Sequence, residues 1–137
     1  IMRKFIFFIF LILISSPIFA EKLFFSCEIK YYKMEYSDFN KKDYSASDFK
    51  DIPRFYHYMW VELDIENNQA NSSDDLIRND YYLMIKDTYV FWSIDVPAHE
   101  INYKLNRITG YLKISLKDKN RNEQYRNYLC KKVDKIF

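Results

Sequence analysis

Residues 104–116 read KLNRITGYLKISL, and they contain the one glycine of a 137-residue chain. Before the glycine, Ile101, Tyr103 and Leu105 alternate with Asn102, Lys104 and Asn106. After it, Leu112, Ile114 and Leu116 alternate with Tyr111, Lys113, Ser115 and Lys117. Apolar residues two apart share one face of a β-strand, so the stretch predicts two half-buried strands joined through Arg107-Ile108-Thr109-Gly110. A tight strand connection needs a residue with positive φ, which glycine takes at little steric cost. In a chain that avoids glycine elsewhere, Gly110 marks the corner.

The alternation continues outward. Tyr56–Glu66 (YHYMWVELDIE) puts His57, Met59, Val61, Leu63 and Ile65 on one face and Tyr56, Tyr58, Trp60 and three acids on the other. The second face is either covered by another element or is a binding surface formed by Tyr56, Tyr58 and Trp60. Phe24–Tyr36 predicts a first strand with Phe25, Cys27, Ile29 and Tyr31 on one face, and Tyr125–Val133 a last one. Tyr81–Lys86 and Tyr89–Ile94 predict a hairpin that Pro97 ends. The polar stretch 37–53 predicts a long loop, with one helical turn opening at Ser47 and stopped by Pro53. Residues 67–75 and 118–124 predict turns. Together these predict an all-β fold: an antiparallel meander of six to seven strands, curled into a small barrel or sandwich, with at most one short helix.

At the N-terminus, Arg3 and Lys4 precede an unbroken apolar run, Phe5–Ile14, followed by Ser15, Ser16, Pro17 and Ala20. That is the layout of a secretory signal peptide. The run falls short of the ~20 apolar residues that cross a bilayer. The expectation is a signal peptide over 1–20, one β-rich domain over 21–137, export, and no transmembrane segment after cleavage. Beyond residue 20, nineteen basic side chains face nineteen acidic ones. Without a basic excess, composition gives no argument for nucleic acid or for an anionic membrane surface.

Two cysteines near opposite ends of an exported domain, Cys27 and Cys130, predict one disulfide. The alternative is lipidation of Cys27, which Phe25 fits poorly and which leaves Cys130 unpaired. A zinc site usually takes four ligands at short paired spacings, and His57 and His99 offer none. A single glycine also removes phosphate loops, dinucleotide turns and the hydrolase nucleophile elbow, and no cofactor is expected.

The segment Leu105-Asn106-Arg107-Ile108-Thr109-Gly110-Tyr111-Leu112, followed by Cys130, resembles that of uncharacterised small exported proteins of proteobacteria. These share a signal peptide, an early cysteine, a hydrophobic-Asn/Asp-Arg-x-Thr-Gly-x-hydrophobic segment and a cysteine near the C-terminus. The chain departs from them in having Leu129 before the last cysteine, where glycine is common, and a longer polar loop at 37–53. The resemblance implies a bacterial envelope location and a β-rich fold, and no activity.

Within the motif, Arg107 and Thr109 either bind an anion at an exposed turn or hold the turn itself. The functional expectation is a non-catalytic binding or structural module of the periplasm or exterior, with an envelope protein or cell-wall component as partner. One alternative is an inhibitor of a lytic enzyme, by analogy with small disulfide-bridged β-barrels that block lysozyme. Another is a small hydrolase using carboxylates or His99.

Overall fold

The computed structural model describes residues 22–73 and 81–134; the predicted signal peptide lies outside them. The strands are β1 (Lys22–Glu35), β2 (Tyr44–Ala46), β3 (Tyr58–Asp64), β4 (Gln69–Ser72), β5 (Tyr81–Ile85), β6 (Tyr89–Val96), β7 (His99–Asn106), β8 (Tyr111–Asp118) and β9 (Glu123–Val133). Every pairing is antiparallel. The order is β4-β3-β1-β9-β8-β7-β6-β5, with β2 beside β1, in a sheet nearly closed into a barrel. The seven expected strands are all present. The two additional ones, β2 and β4, lie in stretches read as loops, too short and polar to show alternation.

The interior is filled by the alternating sets. Met59, Val61 and Leu63 from β3, Val90, Trp92 and Ile94 from β6, Tyr103 and Leu105 from β7, and Leu112 and Ile114 from β8 are buried. Trp92 and Tyr103 are register partners whose rings stack, 4.9 Å apart and 6° from parallel. Aromatic pairs of this kind contribute beyond the area they bury.

Strand β1 corrects one expectation. Phe25, Cys27 and Ile29 face inward, but a bulge between Ile29 and Tyr31 shifts the register. Tyr32, not Tyr31, then points into the core. A bulge bends its strand and adds twist, and here it separates two neighbours on one edge of β1. Before it β1 pairs with β3, after it with β2. The segment between β2 and β3 folds as two single 3₁₀ turns, Phe49–Asp51 and Arg54–Tyr56. Ser47 does not open the first; Asp48 precedes it, without a side-chain cap. Pro53 starts the second turn as its N-cap. Ala46 and Ile52 are buried, so the segment caps the barrel end where β1 finishes and β9 begins.

The β8–β9 connection shows what glycine scarcity costs. The Arg121 N–H donates to the Asp118 carbonyl at 3.0 Å, and Arg121 has φ 64°. A glycine usually takes the left-handed position of such a three-residue hairpin. An L-residue there costs about 1–2 kcal/mol, offset in part by the larger entropy of unfolded glycine. Arg121→Gly is therefore expected to stabilise the protein by about 0.5–1 kcal/mol, measured as a higher denaturant midpoint at unchanged slope.

Candidate functional site

The motif around Gly110 is a capped single turn at the opposite barrel end. The Asn106 side-chain Oδ1 accepts from the backbone N–H groups of Ile108 (2.9 Å) and Thr109 (3.0 Å), as an N-cap does. The Gly110 N–H donates to the Asn106 carbonyl at 2.9 Å, and Gly110 closes the turn at φ 81°. Thr109 Oγ1 accepts from the Tyr111 N–H at 3.3 Å. Arg107 reaches sideways to the β5–β6 turn: its N–H donates to the Thr88 carbonyl at 2.7 Å and its Nη1 to the Lys86 carbonyl at 2.9 Å. Asn106, Arg107, Thr109 and Gly110 are thus engaged in holding two neighbouring turns together.

Gly110 has a second duty. A Cβ built on it would lie 2.4 Å from the carbonyl oxygen of Cys130, and the Gly110 carbonyl accepts the Cys130 N–H at 2.8 Å. The polar groups of Cys130 therefore point toward β8. Its pairing with Cys27 on β1 is of the non-hydrogen-bonded kind, in which side chains approach most closely. There the Cys27–Cys130 disulfide forms, with Cα atoms 4.0 Å apart.

The expected aromatic face of Tyr56, Tyr58 and Trp60 is not one surface, because β3 begins at Tyr58 rather than Tyr56. Tyr56 belongs to the second 3₁₀ turn and folds over the barrel end. Its ring stacks on Tyr32 at 5.6 Å, its hydroxyl accepts from Gln124 Nε2 at 3.2 Å, and the Arg126 guanidinium lies 4.7 Å from its centroid. Trp60 is half-buried and Tyr58 68 % exposed. His57, packed 3.9 Å from Phe49, donates Nε2–H to the Ile52 carbonyl at 2.8 Å. That is the bonding of a satisfied structural histidine.

Two features of this end lie outside the sequence expectations. Arg126 is 3 % exposed and donates Nη1–H to the Tyr128 hydroxyl at 3.0 Å. The signal was available: Gln124, Arg126 and Tyr128 alternate in step with the buried Cys130. The other is the exposure of the cap itself. Phe39, on the β1–β2 loop, is wholly exposed, Phe55 in the second 3₁₀ turn is 86 % exposed and Tyr44 in β2 43 %, all within otherwise polar sequence.

An outer groove of about 220 Å³ is lined by Glu100, Asn102, Ser115, Lys117, Glu123 and Tyr125 among others. The Tyr125 hydroxyl donates to Glu123 at 2.5 Å. That bond, with some burial, pushes the phenol up to about 12. His99 lies on β7 opposite Asp118. Burial opposes ionisation of Asp118, but hydrogen bonds from Asn122 and Asn120 outweigh it and hold the carboxyl below its ordinary range. No group of three or more His, Cys, Asp or Glu suited to a metal ion occurs among the described residues. Nor does any helix among them have the length and apolarity to cross a membrane.

These features define a nearly closed antiparallel β-barrel with a disulfide between two adjacent central strands, tied at one end and capped by an aromatic segment at the other. In comparisons with known proteins, no family model matches this chain, and no curated protein or solved structure does either.

Proposed function

We propose that the protein is an exported module that acts by binding rather than catalysis, and that the aromatic cap is its contact surface in the cell envelope. One observation carries this reading: four aromatic side chains between the end of β1 and the start of β3 are exposed, Phe39 on the β1–β2 loop, Tyr44 on β2, Phe55 on the second 3₁₀ turn and Tyr58 at the first position of β3. Exposed aromatic side chains concentrated on loops above a rigid scaffold favour recognition. The disulfide fits an oxidising compartment.

The test is cross-linking capture from bacterial envelope extracts by the oxidised protein and by the Phe39→Ser/Phe55→Ser variant. Both side chains bury almost nothing within the chain, so thermal stability should move by less than about 0.5 kcal/mol. A reproducible partner lost by the variant is the expected result. No partner, or one captured equally by the variant, would remove the reading.

A second reading is inhibition of a lytic enzyme, favoured by the near-complete exposure of Phe39 and Phe55, apolar side chains free to enter an enzyme cleft. Unchanged lysozyme activity at micromolar protein would exclude it for that enzyme.

A further inference from the structure

Strand β8 carries two exposed lysines in contrasting settings. Lys117 sits between Glu100 on β7 and Glu123 on β9 and forms an ion pair with Glu123 at 3.9 Å. Four residues away on the same outer face, Lys113 sits between Lys104 and Asn127. Neither Lys104 nor Lys113 joins any of the ion pairs among the described residues. Like charges directly opposite on a sheet are destabilising, and the neighbouring Lys117 shows that this surface can supply carboxylates. The pair is flanked by aromatic rings. The Lys104 ammonium lies 4.9 Å from the Tyr89 centroid, and Tyr111, next to Lys113 on the same face of β8, is 49 % exposed.

We propose that the Lys104–Lys113 pair binds the phosphate of a phosphorylated saccharide. A phosphomonoester carries about −1.5 to −2 charge at pH 7, so one group answers both ammonium charges. Lysine binds phosphate as a point charge, without the planar match that arginine requires. The Asn127 amide, the next position across the sheet, adds a neutral donor and acceptor. The open ring of Tyr111 offers an apolar face with a hydroxyl at its rim, suited to the mixed C–H and hydroxyl surface of a sugar. A nucleic-acid strand fits less well. It needs a positive track for successive phosphates, whereas Glu100 and Glu123 close the strip on one side. The net charge of zero beyond residue 20 hides this local segregation. The site is separate from the aromatic cap, and its failure leaves the cap reading untouched.

The test uses the isotope-labelled, oxidised mature chain in low salt, titrated with glucose 6-phosphate, inorganic phosphate, glucose and a short oligothymidylate, and followed by amide chemical shifts. The expected result is saturable shifts around Lys104, Tyr111, Lys113 and Asn127 with glucose 6-phosphate, weaker ones with phosphate, and none with glucose. Lys104→Gln and Lys113→Gln should each weaken glucose 6-phosphate binding about threefold, and the double variant about tenfold. Both should leave thermal stability unchanged or higher, because a repulsion is removed. Shifts that persist in the double variant would overturn the site. Equal binding of phosphate and glucose 6-phosphate would overturn the saccharide, and tighter binding of the oligonucleotide would replace it with nucleic acid.

Discussion

Gly110→Ala is expected to destabilise the protein by about 3 kcal/mol or more, a large share of the 5–15 kcal/mol of an ordinary domain. Two effects add. At φ 81° an L-residue pays for the left-handed conformation. The new methyl would also meet the Cys130 carbonyl at 2.4 Å, and that oxygen is backbone in a paired strand, so it cannot move aside as a flexible side chain would. Gly110→Asn separates the two effects. Asparagine tolerates positive φ but keeps the Cβ, so it should recover only a small part of the loss. Denaturant unfolding of both variants decides the matter: full recovery by asparagine would assign the whole effect to φ and deny the contact with Cys130.

The corner at Gly110 was legible because two alternating runs point at it and only glycine suits it. What made glycine indispensable was not legible, since the Cys130 carbonyl comes from twenty residues along the chain. The same division holds elsewhere. Strands such as Ile101–Leu105 and Leu112–Leu116 declare themselves through a period of two. The bulge at Lys30 leaves no local trace, so strict alternation places Tyr31 on the face that Tyr32 occupies. Tyr56 keeps the alternation of β3 in sequence but leaves the strand in space, because the 3₁₀ turn after Pro53 draws it over Tyr32 and Arg126. The exposure of Phe39 and Phe55 has no signature in the sequence, because a polar stretch reads as solvent-facing whatever aromatics it holds. The Lys104–Lys113 apposition depends on cross-strand register, which net charge erases.

Loss of the Cys27–Cys130 bridge should cost about 4 kcal/mol, because it closes a loop of 103 residues' separation. Its position argues for the upper part of the usual range. Apart from β1–β9, the pairings of the described sheet stay within two runs of the chain, β1 to β4 and β5 to β9, and only β1–β3 among them skips a strand. The β1–β9 pairing joins these two runs and bears the largest loop-closure cost of the fold. The bridge sits inside that pairing, at the register pair Cys27–Cys130. A Cys27→Ala/Cys130→Ala protein should therefore unfold at lower denaturant. Its β1–β9 amides should lose exchange protection before those of β6, β7 and β8, whose hairpins close locally. Uniform loss of protection would show that the bridge stabilises the sheet as a whole rather than this junction. Gly110 acts on the same strand from its other side, accepting the Cys130 N–H and leaving room for its carbonyl. The two devices hold β9 between β1 and β8, so their losses should not add. In a double-mutant cycle the glycine substitution should cost less once the bridge is gone, because an unstapled β9 can shift away from the intruding methyl. Strict additivity would mean that β9 is held in place by its ladders alone.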